Sequence, residues 1–359
     1  MRKLSLLLIL LFTAYISTAA PKVRFVDAVE LGIHGHAKQT DKSPYYRFDH
    51  TPYQFNRSIV AHSKKPAGLY VTFKTNSSFI SAKWSVIPQI VRDNLPFIMQ
   101  HGLDLYMKVD GKWRFVMAPR IPCDLEPSTY NYNIVKNLAD GEKEFLLYLP
   151  IWCEMSSLKI GIEAGATIEG LPSPFRHKVI VYGSSITHGA AASRPGMTYT
   201  AILSRNLGIN FVNFGFAGQC KMQNAFLEFL QSCEADAFLF DTFSNPSSIE
   251  VKERLKPFVE GMIKAHPGKP MIFLQSAIPY ENEANIKKQA GRKLRNETAS
   301  SIMQKLVKQY KDVYFLAVPD VVGIDGTIDS THPNDLGFDR FVKAYQPKIA
   351  KILKKYGIK

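Results

Sequence analysis

The sequence predicts an α/β protein in which a flavodoxin-like three-layer α/β/α domain with a parallel sheet follows an N-terminal, jelly-roll-like β-sandwich. Three observations predict it. The first half is built of short runs that alternate or carry β-branched and aromatic residues, separated by turn formers and without a long helical period. The second half alternates apolar strands with amphipathic helical stretches, the pattern of parallel βαβ units. Between them, Gly165 to Pro174 carries two prolines that interrupt any helix. At 359 residues, 46% of them hydrophobic, the chain can bury two ordinary cores.

Taken in order, the chain starts with Met1-Arg2-Lys3, an apolar stretch from Leu4 to Ile16, and Ser17-Thr18-Ala19-Ala20-Pro21. A basic head, a leucine-rich middle and small residues describe a secretory signal peptide over residues 1–19, and with it a secreted or periplasmic protein. The stretch is shorter than the roughly 20 residues that span a bilayer, so no stable membrane anchor is expected. Residues 20–173 form the expected sandwich, with runs such as Gly68 to Phe73, Phe79 to Trp84 and Phe145 to Leu149. Asp110-Gly111 between two such runs is a hairpin signal. Residues 174–359 form the expected α/β domain, its strands at His177–Gly183, Asn210–Phe216, Ala237–Phe243, Met271–Ala277 and Val313–Val318. Val251, Leu255, Phe258, Val259, Met262 and Ile263 recur at helical spacing, as do Phe338, Phe341, Val342, Tyr345, Ile349, Ile352, Leu353 and Tyr356.

The net charge of +14 is spread thinly. Lys343, Lys348, Lys351, Lys354 and Lys355 alternate with apolar residues as on a solvated helix face, and no basic patch is interleaved with aromatics, so no nucleic-acid partner is expected. Cys123, Cys153, Cys220 and Cys233 fall two and two; disulfides in an oxidising compartment and buried free thiols are both open. No metal-type cysteine or histidine spacing is present, and neither a metal nor another cofactor is expected.

The chemistry gathers at the carboxyl ends of the expected parallel strands, where the loop edge of such a sheet is free. Ser185 follows the first strand in Gly183-Ser184-Ser185-Ile186-Thr187-His188-Gly189, and Gly215 and Asn245 follow the second and third. Asp329-Ser330-Thr331-His332 follows the fifth. A carboxylate three residues before a histidine fixes the ring's tautomer, leaving the other nitrogen to take the proton of a serine that is a poor nucleophile alone. The backbone N–H groups of Ser185 and Gly215 and the Asn245 amide are candidate oxyanion donors. His188, Arg194 and Gln219 are candidate substrate contacts. Taken singly, each residue has a bland explanation: a strand-to-helix turn at Ser185, helix caps at Asp329 and Asn245, a turn glycine at Gly215.

In order and surroundings, Ser185, Gly215, Asn245 and His332 resemble the SGNH (GDSL-type) hydrolase superfamily from about Arg176 to the C-terminus. The resemblance implies Ser185 as nucleophile, His332 as general base, Asp329 as its orienting acid, and Gly215 and Asn245 as oxyanion donors, without a cofactor. Ser184 departs from the usual Gly-Asp-Ser and is expected to alter local hydrogen bonding only. Gly102-Leu103-Asp104-Leu105-Tyr106 resembles the Gly-x-Asp-Leu-Tyr motif of a β-domain preceding one branch of these hydrolases, in which Asp104 is expected to support a turn or the domain contact. Together these readings give an exported serine esterase acting on small acyl esters, acetylated glycans first among them. A glycan-binding protein with little hydrolase activity, a lipid esterase and an acyl transferase are the alternatives.

Overall fold

The computed structural model describes residues 22–122, 128–281 and 283–359; the expected leader and Cys123 lie outside them. In the N-terminal half, side chains alternate across each strand, so one face of each sheet turns to a shared interior. One antiparallel sheet orders Val23–Asp27, Met155–Glu163, Ile80–Val86 and Thr129–Val135. The other orders Ile168–Gly170, Tyr70–Thr75, Lys143–Tyr148, Asp104–Val109 and Lys112–Met117. Phe73, Trp84, Leu105, Phe145, Leu147 and Ile160 are buried between them. Asp110 and Gly111 close the last hairpin with φ of 52° and 74°, the positive pair that a two-residue type I′ turn requires.

The parallel sheet orders Ile209–Gly215, Arg176–Gly183, Ala237–Asp241, Met271–Leu274 and Val313–Leu316. Because the second strand in the chain lies outside the first, the crossovers diverge next to Arg176–Gly183, and a crevice opens at that strand's carboxyl end. Helices Ser248–Ala265 and Asp335–Lys354 present the apolar stripes seen in the sequence, the former started by a capping box between Ser247 and Glu250. Helix Ile286–Gln309 has no such stripe: Ala299, Met303 and Leu306 are buried on an otherwise lysine- and arginine-rich surface.

The segment from 35 to 65 leaves the sandwich and packs on the α/β domain. Phe48 and Ile59 join the core of Phe214, Phe226 and Phe229, with the Phe48 and Phe229 rings 4.4 Å apart. Arg47, 1% exposed, donates to the carbonyls of Gly215 at 2.9 Å and His62 at 2.6 Å. Without a carboxylate partner among the described residues, it is pulled by burial down to about 9. Asp104 takes the Arg194 guanidinium at 2.7 Å and the Gly196 N–H at 2.8 Å, so the Gly-x-Asp-Leu-Tyr stretch ties the sandwich to the loop after the Ser185 turn. Cys153, Cys220 and Cys233 are buried free thiols; Cys220 donates to Thr242 Oγ1 and Cys233 to the Phe229 carbonyl.

Candidate active site

The strand Arg176–Gly183 ends in a turn too tight for a side chain at Gly183, where a Cβ would lie 1.8 Å from Thr187 Oγ1. Ser184 then caps the one-turn helix Ser185–His188, its hydroxyl accepting the Ile186 N–H at 3.2 Å. That is what stands in place of the usual aspartate. Ser185, first in the helix, is 7% exposed and opens on a cavity of about 740 Å³ between the α/β domain and the sandwich side.

Ser185 Oγ lies 2.9 Å from His332 Nε2. On the other side of the ring, His332 Nδ1 lies 2.7 Å from Asp329 Oδ2. Asp329 Oδ1 meanwhile accepts the backbone N–H groups of Thr331 and His332, at 3.1 and 2.8 Å. Burial works against this carboxylate, but those N–H groups and the imidazole outweigh it and hold Asp329 below the usual carboxylate range. The loop is fastened from behind by Arg292, 8% exposed, which donates to the Ser330 carbonyl at 2.9 Å and to Thr331 Oγ1 at 3.0 Å while pairing with Glu283 at 2.8 Å.

Asn245 lines the cavity, and its Oδ1 accepts the Cys220 N–H at 3.2 Å, which leaves the amide NH₂ to the cavity. Gly215 does not reach the cavity. Its N–H donates to Asn213 Oδ1 at 3.1 Å, and a Cβ there would lie 2.1 Å from the His188 nitrogen, so this glycine serves the packing of strand on helix. Three residues later Gly218, at φ 71°, lines the cavity in its stead. Sequence reasoning missed Gly218 because the strand's end, and thus which glycine follows it, is a matter of one or two residues.

None of the three candidate substrate contacts lines the cavity. His188 is fully buried behind the wall, its Nε2 2.7 Å from the Ile151 carbonyl and its ring stacked 4.6 Å from Trp152; burial holds it neutral, well below the ordinary histidine range. Arg194 is spent on Asp104 and Tyr106. Gln219 Oε1 accepts from Asn56 Nδ2 at 2.9 Å. The side chains that do line it from the sandwich side, among them His62, Lys65, Gln89, Arg92 and Trp152, carried no motif. Among the described residues no cluster of His, Cys, Asp or Glu fits a metal ion, and no helix is long and apolar enough to cross a membrane.

Beneath the Ser185 helix, Asp241 is completely buried; Oδ2 accepts from Thr187 Oγ1 at 2.9 Å, and Oδ1 has no partner among the described residues. Burial pushes this carboxyl up to about 7. The native state therefore keeps a proton that the unfolded chain releases near pH 4, and stability falls as pH rises from about 4 to about 7. Asp241→Asn is expected to gain on the wild type by a few kcal/mol, order of magnitude, between pH 4 and pH 8. Urea denaturation of both proteins at the two pH values checks this; a difference independent of pH would contradict it.

Residues 176–350 match the GDSL-like lipase/acylhydrolase family, and residues 23–168 match the GxDLY N-terminus of SGNH-hydrolase-type esterases. A crystal structure described as a GDSL-like lipase from Bacteroides ovatus is 41% identical, with a TM-score of 0.88 over 93% of this chain and 98% of that one. The salicylyl-acyltransferase SsfX3 of a tetracycline biosynthetic pathway is 20% identical, with a TM-score of 0.68 over 92% and 97%. A family two carbohydrate esterase from Clostridium thermocellum, in complex with cellohexaose, is 13% identical, with a TM-score of 0.58 over 82% and 97%. The last two share the fold. A comparison with curated proteins finds no match. Fold and family together define a hydrolase acting on esters. The chain belongs to the GDSL-like lipase/acylhydrolase family of the SGNH superfamily, in the branch with the Gly-x-Asp-Leu-Tyr N-terminal domain.

Proposed function

We propose that the protein is an exported serine esterase that removes small acyl groups, acetyl foremost, from carbohydrates. The observation that carries the reading is the continuous hydrogen-bond chain from Ser185 through His332 to Asp329 at the edge of the cavity. In the proposed reaction Ser185 Oγ attacks the ester carbonyl as His332 Nε2 takes its proton. The oxyanion is met by the N–H groups of Ser185 and Gly218 and by the Asn245 amide. The tetrahedral species collapses to an acyl-enzyme, and the leaving alcohol takes the proton from His332. Water, deprotonated by the same nitrogen, then releases the acid and restores Ser185. Export follows from the leader read at residues 1–19.

The walls of the cavity offer His62, Gln89, Asn94 and Ser244 as hydrogen-bonding partners for a hydroxylated alcohol, beside the apolar Ile90, Leu95, Trp152 and Ile278. Against p-nitrophenyl esters of graded length, acetate should be hydrolysed fastest and octanoate about tenfold or more slower. Octanoate turned over as fast as acetate would overturn the short-acyl assignment. Asn245→Ala should lower kcat on acetate by about 10² to 10³-fold, the scale for one oxyanion donor. A change confined to KM would remove Asn245 from that role.

A further inference from the structure

The cavity wall that faces Ser185 from the sandwich side is cationic. Lys65 and Arg92 line it, and among the described residues no aspartate or glutamate does. Lys65 follows helix Arg57–Ser63 and is only 8% exposed. A buried ammonium is costly unless an anion or several acceptors meet it. The neighbouring Lys64 has Glu154 at 3.9 Å, but among the described residues no carboxylate pairs with Lys65. What surrounds its ammonium does not neutralise it. The Trp152 ring lies 4.8 Å away, Arg47 and Arg92 add like charge, and burial pushes the thiol of nearby Cys153 far up, so that it stays uncharged. Burial first, and then those arginines, pull Lys65 itself down to about 8.

Arg92 is carried on a fixed stretch of chain. Buried Gln100 accepts its N–H at 2.9 Å and donates to its carbonyl at 2.8 Å, so the backbone is clamped on both sides. No ion pair within the described residues holds its guanidinium. Two cations from different loops thus line the cavity that contains Ser185, one of them desolvated and, among the described residues, without a carboxylate.

We propose that Lys65 and Arg92 bind an anionic substituent, a carboxylate or a sulfate, on the sugar that bears the acyl group, so that the substrates are acylated acidic glycans such as those built from uronic acids. This rests on the esterase reading and adds to it the charge of the alcohol. A hydrogen-bonded ion pair formed away from water carries enough energy to select an acidic sugar over its neutral counterpart by about 10- to 100-fold.

The test compares kcat/KM of the wild-type protein on an O-acetylated methyl galacturonoside, the methyl ester of the same compound, the neutral O-acetylated galactoside and its 6-sulfate. One or both anionic substrates should exceed their neutral counterparts by about 30-fold, chiefly through KM, and the better of the two identifies the anion. Lys65→Gln should shrink that preference to about threefold or less, and Arg92→Gln, on an exposed loop, should shrink it in part. Equal rates on acid and methyl ester, with no advantage for the sulfate, would overturn the proposal, as would an unchanged preference in Lys65→Gln protein of native circular dichroism. If no ester at all is hydrolysed, p-nitrophenyl acetate included, the esterase reading fails separately. The anion site is then judged by calorimetry with galacturonate and galactose 6-sulfate, where binding lost in Lys65→Gln upholds it and no binding by the wild type ends it.

Discussion

Ser185→Ala protein is expected to hydrolyse p-nitrophenyl acetate at least about 10⁴-fold more slowly than the wild type, at unchanged stability. The size follows from the role. Without Oγ there is no covalent intermediate, and His332 is left with a water that nothing holds in place. What remains is the contribution of the oxyanion donors. Stability should not move, because the helix Ser185–His188 is capped by Ser184 and its backbone bonds do not involve Oγ of Ser185. His332→Ala should fall to a similar rate, and the double variant no further, since nucleophile and base act as one unit. A double variant much slower than either single variant would break that unit apart.

The second large effect belongs to Asp329→Asn, expected to cost on the order of 10³ to 10⁴ in kcat. The argument is one of tautomers. Asp329 Oδ1 accepts two backbone N–H groups, and an asparagine oxygen can keep both. The position of Oδ2, 2.7 Å from His332 Nδ1, would then be held by an NH₂ donor. Facing a donor, Nδ1 must give up its hydrogen, the proton moves to Nε2, and the nitrogen beside Ser185 can no longer accept. The fold of the loop should survive because Arg292 and Glu283 fasten it independently of Asp329. A variant with native stability and near-native kcat would show that Asp329 only shapes the turn.

These expectations depend on how much of the molecule is legible in the chain. The five parallel strands are, because strands covered on both faces read as unbroken apolar runs, and Val179-Ile180-Val181-Tyr182 is of that kind. The Asp110-Gly111 hairpin is, because only one family of turns joins strands in two residues. Ser185, Asn245, Asp329 and His332 could be singled out because each follows a strand end and three-residue spacing alone puts the carboxylate beside the ring. Gly215 and Gly218 could not be told apart, for they differ by a single turn of chain whose direction depends on Asn213 claiming the first N–H.

The sandwich side of the cavity was not legible at all. Phe48 and Phe55 read equally well as core residues of either half, so nothing reveals that the segment from 35 to 65 crosses over to pack on Phe214 and Phe229. Lys65 and Arg92 are ordinary loop residues in the sequence, and only the burial of Lys65 and the place of both on a cavity wall that no described acid lines make them informative. His188, Arg194 and Gln219 erred in the opposite direction: chain proximity to Ser185 drew attention to side chains that the structure spends on Ile151, Asp104 and Asn56.

The central claim is that Ser185 carries the acyl group. Treating the wild-type protein with an alkyl fluorophosphonate, which transfers its phosphonyl group to an activated serine, and mapping the peptides by mass spectrometry tests it directly. The account predicts stoichiometric modification of Ser185 with parallel loss of esterase activity, and no labelling when His332 is replaced by alanine. Activity lost while Ser185 stays unmodified, or full labelling of Ser185 with activity intact, would contradict it.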